Sequence, residues 1–502
     1  MDLKERTLRS TYWLFLTRVV FQGVSWGVTL IVARLLSPAD YGLMGMAMIY
    51  IGFVELMSEL GFGPALVQQK ELEEEALSGV FWTTIVFSLG MIGVTYLLSP
   101  WLARFFKEPL VSPLIRLLSC AFLISALKVL PYNLLTRDLR LDRRSQAEIV
   151  GNLTASGVTL ILAFCGAGIL SLIAGVLVQN LVMTVLLLVA VPIPVNRPPD
   201  LRRIYPLLRF GFYITLSRIL WYFRVRIDHF LGGRYLDSKT FGYYTVAVEF
   251  ASLPIGKFND IIKQVTFPLL SRLQGDARAF RETFLRINRL TSLLIFPAAI
   301  GLAVVARPFV RLFLTEKWIE AVFPLQVFCV VVAIRNIVTL VPLILNARGK
   351  PDYTLKLEIW QTLLLGVAFW IGVQWGLIGL SLSWLAAYPL ISCIWFFVAA
   401  RLLEISLGTY LRTLWPATVA TLLMALSAGA VVYWVRPLWL QLALAVLTGA
   451  VVYVVAIRFC FPAVFLELWR LAVETWRKRK GGGVEVPSQF RRQGRERSQQ
   501  DR

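Results

Sequence analysis

Histidine is nearly absent: His229 is the only one in 502 residues, so any mechanism needing two imidazoles is excluded. Cysteine is sparse and unpatterned. Cys120, Cys165, Cys329, Cys393 and Cys460 lie singly in apolar stretches with no CxxC pair. That argues against a disulfide framework or zinc site and reads as small buried hydrophobes. Charge is scarce as well, at 16% of residues against 57% hydrophobic, where a soluble domain is about a quarter charged. No HExxH, Walker loop or acidic cluster with metal spacing occurs. These absences exclude a soluble nuclease, kinase or dinucleotide enzyme, and no cofactor or metal is expected.

What the sequence does have is long apolar runs. They fall near 11–33, 41–67, 79–100, 110–134, 148–166, 169–192 and 207–233. They continue near 240–268, 287–306, 321–346, 355–375, 376–400, 411–435 and 437–461. Each is long enough to cross a bilayer core as a helix, and none alternates at period two as a barrel strand would. The expectation is an all-α polytopic membrane protein with about fourteen transmembrane helices. The N-terminus (MDLKERTLRS) has no small-residue cleavage site and Arg18 interrupts the following apolar run, so a retained first span is expected.

The net charge of +21 is then a matter of topology. With a cytoplasmic N-terminus, 33 Lys and Arg fall in the cytoplasmic loops and tail against nine on the other side. Both termini are therefore expected in the cytoplasm of a multi-pass cell-membrane protein. The excess attracts anionic lipid, and no nucleic-acid partner is expected.

The chain also repeats itself at a spacing of 200. Leu8, Arg9, Leu16, Thr17 and Arg18 stand beside Leu208, Arg209, Leu216, Ser217 and Arg218, and Arg34, Leu36, Tyr41, Gly42 and Ala47 beside Arg234, Leu236, Phe241, Gly242 and Ala247. Six spans separate the copies, an even number, so the two bundles share one orientation and place a substrate between them. The expected organisation is an N-lobe over 1–195 (spans 1–6), a C-lobe over 196–402 (spans 7–12), and spans 13 and 14 over 403–462. An amphipathic interfacial helix follows over 463–480, with Phe465, Leu468, Trp469, Ala472 and Trp476 on one face, and then a disordered basic tail over 481–502.

Nine basic residues fall within or near the spans: Arg18, Arg116, Lys128, Arg218, Arg224, Arg226, Lys257, Lys263 and Arg335. A charge at a span centre costs about 2.5–3.5 kcal/mol and survives by facing protein or water. Helical spacing groups Thr11, Arg18, Gln22, Ser25 and Thr29 in one stripe, Arg218, Tyr222, Arg226 and His229 in another, and Glu249, Lys257, Asp260 and Lys263 in a third, with Pro254 a kink point. Glu55 and Glu59 share a face, either to neutralise Arg18 or to couple an ion, as Glu249 and Asp260 could. Arg224 with Asp228 reads as an i,i+4 pair, structural or substrate-clamping. His229 reads as an interfacial hydrogen-bonded residue or a proton carrier, and Arg116 and Arg335 as snorkelling residues near span ends. Arg218, Arg226, Lys257 and Lys263 are the main substrate-binding candidates, in a net-positive cleft suited to phosphate or a sugar carboxylate. No loop carries a catalytic acid or base of the kind a membrane glycosyltransferase needs, so the chain is not expected to be an enzyme.

Several segments carry a resemblance: RLLSPADYGLMGMA (34–47), ELGFGPALVQQ (59–69), FW (81–82), LLRFGF (207–212), FPLLSRLQGD (267–276), LFLTEKW (312–318) and ILNARGKPD (344–352). Over roughly residues 1–460 the chain resembles polysaccharide flippases of the multidrug/oligosaccharidyl-lipid/polysaccharide exporter superfamily, in particular the colanic-acid-exporter-like branch. The resemblance implies two six-helix lobes in a V around a central cavity, with two additional helices. It implies flipping of an undecaprenyl-pyrophosphate-linked oligosaccharide to the outer leaflet by alternating access. Arg18 and Arg218 fall on the family's cationic positions of the first and seventh spans, with Arg226, Lys257 and Lys263 as further candidates. The implied partners are the lipid-linked oligosaccharide, membrane lipids, and glycan-assembly proteins such as a polysaccharide polymerase. Two other readings stay open, an organic-cation antiporter on the same scaffold, which needs an acidic cleft, and a non-transporting scaffold that recruits glycan-assembly enzymes through its basic tail.

Overall fold

The computed structural model describes residues 23–68, 73–138, 140–191, 193 and 201–480, without the side chains of 58, 67–68, 201–204, 206, 210, 253–261, 263–265, 267, 351, 471–472 and 474–480. All regular structure among them is helical. The N-lobe holds α1 (Gly23–Leu35), α2 (Pro38–Ser58), α3 (Phe62–Gln68), α4 (Glu74–Phe106), α5 (Val111–Leu118), α6 (Cys120–Arg137), α7 (Leu141–Phe164) and α8 (Ile169–Ala190). The C-lobe holds α9 (Leu201–Tyr235), α10 (Ser238–Arg272), α11 (Ala277–Val304), α12 (Ala306–Phe309), α13 (Val322–Val338), α14 (Val341–Ala347), α15 (Pro351–Gly372) and α16 (Gly376–Leu403). Two further long helices, α17 (Leu407–Trp434) and α18 (Leu438–Cys460), pack on each other and on α11.

Ten stretches among the described residues are long and apolar enough to cross a membrane, and one of them, Asp352–Leu403, at 52 residues, holds both α15 and α16. The 35-residue helices α9 and α10 fall outside that set; their charged residues lower the mean hydropathy. The chain is a multi-pass membrane protein, and its helices are consistent with the expected fourteen spans. Leu97, Val189, Leu426 and Phe459 are exposed, at 81%, 81%, 71% and 76%, because a lipid-facing helix has no water to hide from. The same reasoning corrects the cysteines. Only Cys329 is buried, while Cys120, Cys165, Cys393 and Cys460 are exposed, because an apolar segment in a bilayer has an outward face as well as a core face.

The repeat reappears in the helix starts. Ser37 caps α2 in a capping box with Asp40, with Pro38 at the first helical position. Asp237, its counterpart 200 residues on, caps α10 by accepting from the Thr240 amide at 3.1 Å. The two helices then cross with reciprocal contacts. A Cβ on Gly42 would overlap the Ser238 carbonyl, and a Cβ on Gly242 would overlap the Pro38 carbonyl. Equivalent residues exchanging equivalent contacts is what a twofold axis between lobes requires. A loop between α12 and α13 reinforces this end. It contains a turn of π-helix (Val310–Leu314) and one of 3₁₀ (Glu316–Ala321). Fully buried Trp318 donates from Nε1 to the Ala33 carbonyl at 2.8 Å and lies edge-on to Tyr41 and Tyr243.

At its other end α2 is interrupted. Leu60 and Gly61 take left-handed φ values of 47° and 64°, and the chain restarts as α3. A leucine there costs about 1–2 kcal/mol, and Gly61 cannot be replaced cheaply because a Cβ would overlap the Gly211 backbone of α9. The lobes therefore touch at both ends of α2, so the V implied by the resemblance is not the state of this structure.

The helix α19 (Pro462–Lys480) packs on α18 and is tied to α11 by ion pairs. Glu467 accepts from Arg286 Nε at 2.7 Å and also bonds Arg289. Phe465 and Leu468 of the expected apolar face pack against a core cluster, whereas Trp469 remains 60% exposed. The side chains of Ala472 and Trp476, and the tail 481–502, lie outside the described residues.

Candidate functional site

Between the lobes lies a cavity of about 690 Å³ walled by α1, α2, α7, α8, α9 and α10. Most of its polar lining is neutral. Ser25 and Thr29 of the expected first-span stripe face it, with Asn152, Ser156, Thr159 and Gln179 from α7 and α8, and Thr245 and Ser252 from α10. Gln179 Nε2 donates to Asn152 Oδ1 at 2.6 Å. The α7 and α8 residues were missed by a search confined to charges. Their signal was there, since Asn152, Ser156 and Thr159 recur at i, i+4 and i+7 in an otherwise apolar run. Arg226 and Glu249 are the described arginine and carboxylic acid on this wall, and His229 sits beside Arg226. Among the described residues the lining thus holds one arginine against one carboxylic acid; the net-positive cleft expected from the sequence also counts Arg18, Lys257 and Lys263. Arg18 and the side chains of Lys257, Asp260 and Lys263 lie outside the described residues.

The α9 stripe is real as a helix face, but it divides between two tasks. Arg226 and His229 reach the cavity. Tyr222, buried, donates to the Ile49 carbonyl of α2 at 2.7 Å. Arg218 bonds Glu59 at the C-terminal end of α2 at 2.6 Å. The lower half of the stripe is thus a seam between lobes. Both partners of the ion pair are substantially exposed, with side chains at 35% and 48%, so the pair adds no more than about 1 kcal/mol to stability. Arg218→Glu should therefore leave the melting temperature nearly unchanged yet weaken closure at this end, and Glu59→Arg on top of it should restore closure. Accessibility of a cysteine at Thr215, buried one turn from Arg218, to a maleimide checks this; equal labelling in the wild type and both variants would remove the seam role.

A second cavity, of about 190 Å³, opens beside this pair and is lined by Glu55, Glu59, Ser125, Lys128, Tyr132 and Asn133. Lys128 Nζ bonds Asn180 Oδ1 and lies 4.0 Å from Glu55 Oε1, and Ser125 Oγ lies 3.3 Å from both acceptors. Glu55 and Glu59 thus have Lys128 and Arg218 as partners. Lys128 was visible in the sequence as a charge inside a span, but nothing local named its partners on α2 and α8.

Two pairings are corrected. Arg224 does not bond Asp228; its Nη1 meets Glu358 of α15 at 3.3 Å. Asp228, 1% exposed, instead faces His229 Nδ1 at 3.0 Å and accepts from Tyr244 at 2.7 Å. An i,i+4 spacing permits a pair, but a neighbouring helix that brings a partner into the core takes precedence. His229, 5% exposed, stands in the cavity wall and is hydrogen-bonded there. Of the two snorkelling candidates, Arg335 is exposed, and Arg116 is held within the N-lobe by Ser99 Oγ at 2.7 Å and the Tyr96 ring.

The model of a family described as polysaccharide biosynthesis protein matches residues 31–323 of this chain, more than half of it. The chain belongs to this family. It is similar to the lipopolysaccharide biosynthesis protein WzxC of Escherichia coli K12, at 27% identity over 444 residues, 86% of this chain and 89% of that protein. It is similar to the teichuronic acid biosynthesis protein TuaB of Bacillus subtilis 168, at 26% over 480 residues, 91% of this chain and 98% of the other. Among solved structures it resembles the lipid II flippase MurJ in an inward closed conformation, with TM-score 0.74 and 14% identity over 90% of this chain and all of that one. It also resembles an inward-facing multidrug resistance transporter of the MATE family in the MOP superfamily, with TM-score 0.60 and 14% identity over 78% of this chain and 98% of that one. At these identities the two structures establish the fold. The site is thus a polar cavity walled by six helices in a membrane protein of the polysaccharide biosynthesis family.

Proposed function

We propose that the protein flips a lipid-linked oligosaccharide, a polyprenyl-pyrophosphate-linked polysaccharide repeat unit, across the cytoplasmic membrane by alternating access. The observation that carries this reading is the neutral polar wall of the large cavity, built by both lobes and placed at the depth of the spans. Hydroxyl and amide groups supply both donors and acceptors, as sugar hydroxyls require. Without such a wall, moving several sugars and a diphosphate through hydrocarbon is prohibitive. Arg226 supplies the charge-assisted contact for phosphate, with Arg18, Arg218, Lys257 and Lys263 as further candidate anion contacts as the lobes rock. The lipid tail stays in the bilayer.

In this reading both termini are cytoplasmic, the Arg218–Glu59 seam is the inner closure, and the Gly42–Gly242 crossing the outer one. The lobes, 1–195 and 196–402, move as bodies about the break at Leu60–Gly61. Glu249, Glu55, Glu59 and Asp260 are the carboxylates available for ion coupling or charge balance. Glycan-assembly enzymes, a polymerase among them, would take the product on the outer side. The antiporter alternative calls for a net acidic cleft, which the described lining does not provide.

The test is reconstitution in liposomes with a fluorescent polyprenyl-pyrophosphate oligosaccharide in the inner leaflet, read by accessibility of the glycan to an external lectin. Translocation well above that of protein-free liposomes is expected. Rates equal to the blank, together with proton-driven uptake of an organic cation, would transfer the assignment to the antiporter class.

A further inference from the structure

The single histidine of the chain ends a buried hydrogen-bond relay that the reading above leaves unused. Trp384 Nε1, on α16, donates to the Tyr244 hydroxyl at 2.9 Å. Tyr244, fully buried, donates to Asp228 Oδ2 at 2.7 Å. Asp228 Oδ1 lies 3.0 Å from His229 Nδ1, and His229 Nε2 lies 3.3 Å from Arg226 Nη1. A guanidinium has donors only, so Nε2 is the acceptor of that contact, and the imidazole proton sits on Nδ1, directed at Asp228. Among the described residues the other titratable or charged groups on this wall are Glu249 of α10 and Tyr41 of α2, and α1, α7 and α8 present neutral hydroxyls and amides.

In this tautomer Arg226 occupies the one acceptor of the imidazole. Protonating Nε2 would remove the acceptor Arg226 uses and set two cations side by side. A bound anion reverses both effects. It replaces Nε2 as the acceptor for the guanidinium, and it offers an oxygen to an Nε2–H. Asp228 already stands behind Nδ1 in the position that stabilises an imidazolium, as the buried aspartate does in a Ser-His-Asp triad.

We propose that His229 is a second ligand for the pyrophosphate of the substrate, joining Arg226 by taking up one proton from solution as the anion binds. Release of the anion returns the proton, and no bond to carbon or phosphorus changes. The proposal rests on the substrate class put forward above. By linkage, the complex then holds its proton to higher pH than the free protein. Affinity is high where both forms are protonated. It falls as pH rises through the interval where only the complex is, approaching about tenfold per pH unit, and is flat again above it.

The experiment uses the full chain in nanodiscs and, as probe, a short-chain prenyl pyrophosphate sugar diester, whose phosphates do not titrate in the imidazole range of about pH 5 to 8. Affinity is measured across that range for the wild type and His229→Gln. In parallel, ¹⁵N resonances of the one histidine are titrated with and without probe. We expect pH-dependent affinity in the wild type, pH-independent affinity in His229→Gln, and Nε2 staying protonated to higher pH when the probe is present. Affinity independent of pH in the wild type, or an imidazole that titrates identically with and without probe, overturns the role of His229 and leaves the substrate class standing. Absence of any binding overturns both. The resonance titration on the wild type decides the matter even if the variant fails to fold.

Discussion

Gly42→Ala and Gly242→Ala should each abolish most transport and lower thermal stability, whereas Gly90→Ala should do neither. All three glycines lie inside helices, so helix propensity alone predicts that alanine stabilises each by about 0.4–1 kcal/mol through the unfolded chain. The crossing of α2 and α10 reverses the sign at two of them. The added methyl would overlap a backbone carbonyl, of Ser238 in one case and Pro38 in the other, whereas Gly90 has no atom within 4 Å of that position. A side chain can rotate away from an intruder; a carbonyl at the first turn of a capped helix moves only with the helix. Overpacking typically costs about 1–3 kcal/mol, and here the cost falls on the contact that closes one end of the cavity. The lectin-accessibility assay and the melting temperature, taken together for the three variants, decide the matter. Wild-type transport in Gly42→Ala would mean the crossing is not a closure at all.

Arg226→Gln should weaken binding of the pyrophosphate probe by about tenfold to a hundredfold, with the protein folded and its lobes still closing. The size follows from the value of a hydrogen bond to a charged group, about 1.5–3 kcal/mol, at about 1.4 kcal/mol per decade. Arg226 is exposed on the cavity wall, so removing it opens no hole in the core, and although Glu249 loses its balancing cation the loss should appear chiefly in affinity. Arg226→Lys should recover part of the loss, since lysine keeps the charge but not the planar fork. Equilibrium titration in nanodiscs distinguishes these cases; identical affinity in all three proteins would move the phosphate contact to another cation.

The residues show unevenly which of these features a reader of the sequence could anticipate. Gly42 and Gly242 stood in register in the repeat, and their reciprocal contact gives that register its physical meaning. Arg218, Tyr222, Arg226 and His229 were correctly placed on one face, because a helix of 3.6 residues per turn dictates it. What that face touches was not legible. Glu59 and Ile49 take its first half and the cavity its second. Arg224 found Glu358, 134 positions away, in place of the aspartate one turn along its own helix.

Hydropathy and helical period are properties of a short stretch of chain, so the sequence alone was enough for an all-helical, multi-pass membrane protein with a duplicated core and for the faces its charges share. Ion partners, cavity walls and lobe contacts depend on which helices meet, at what depth and in what rotation. Those are set by packing between segments 100 residues or more apart, such as the crossing of α2 with α10, and so only the tertiary structure decided which charges face the cavity and which hold the lobes together.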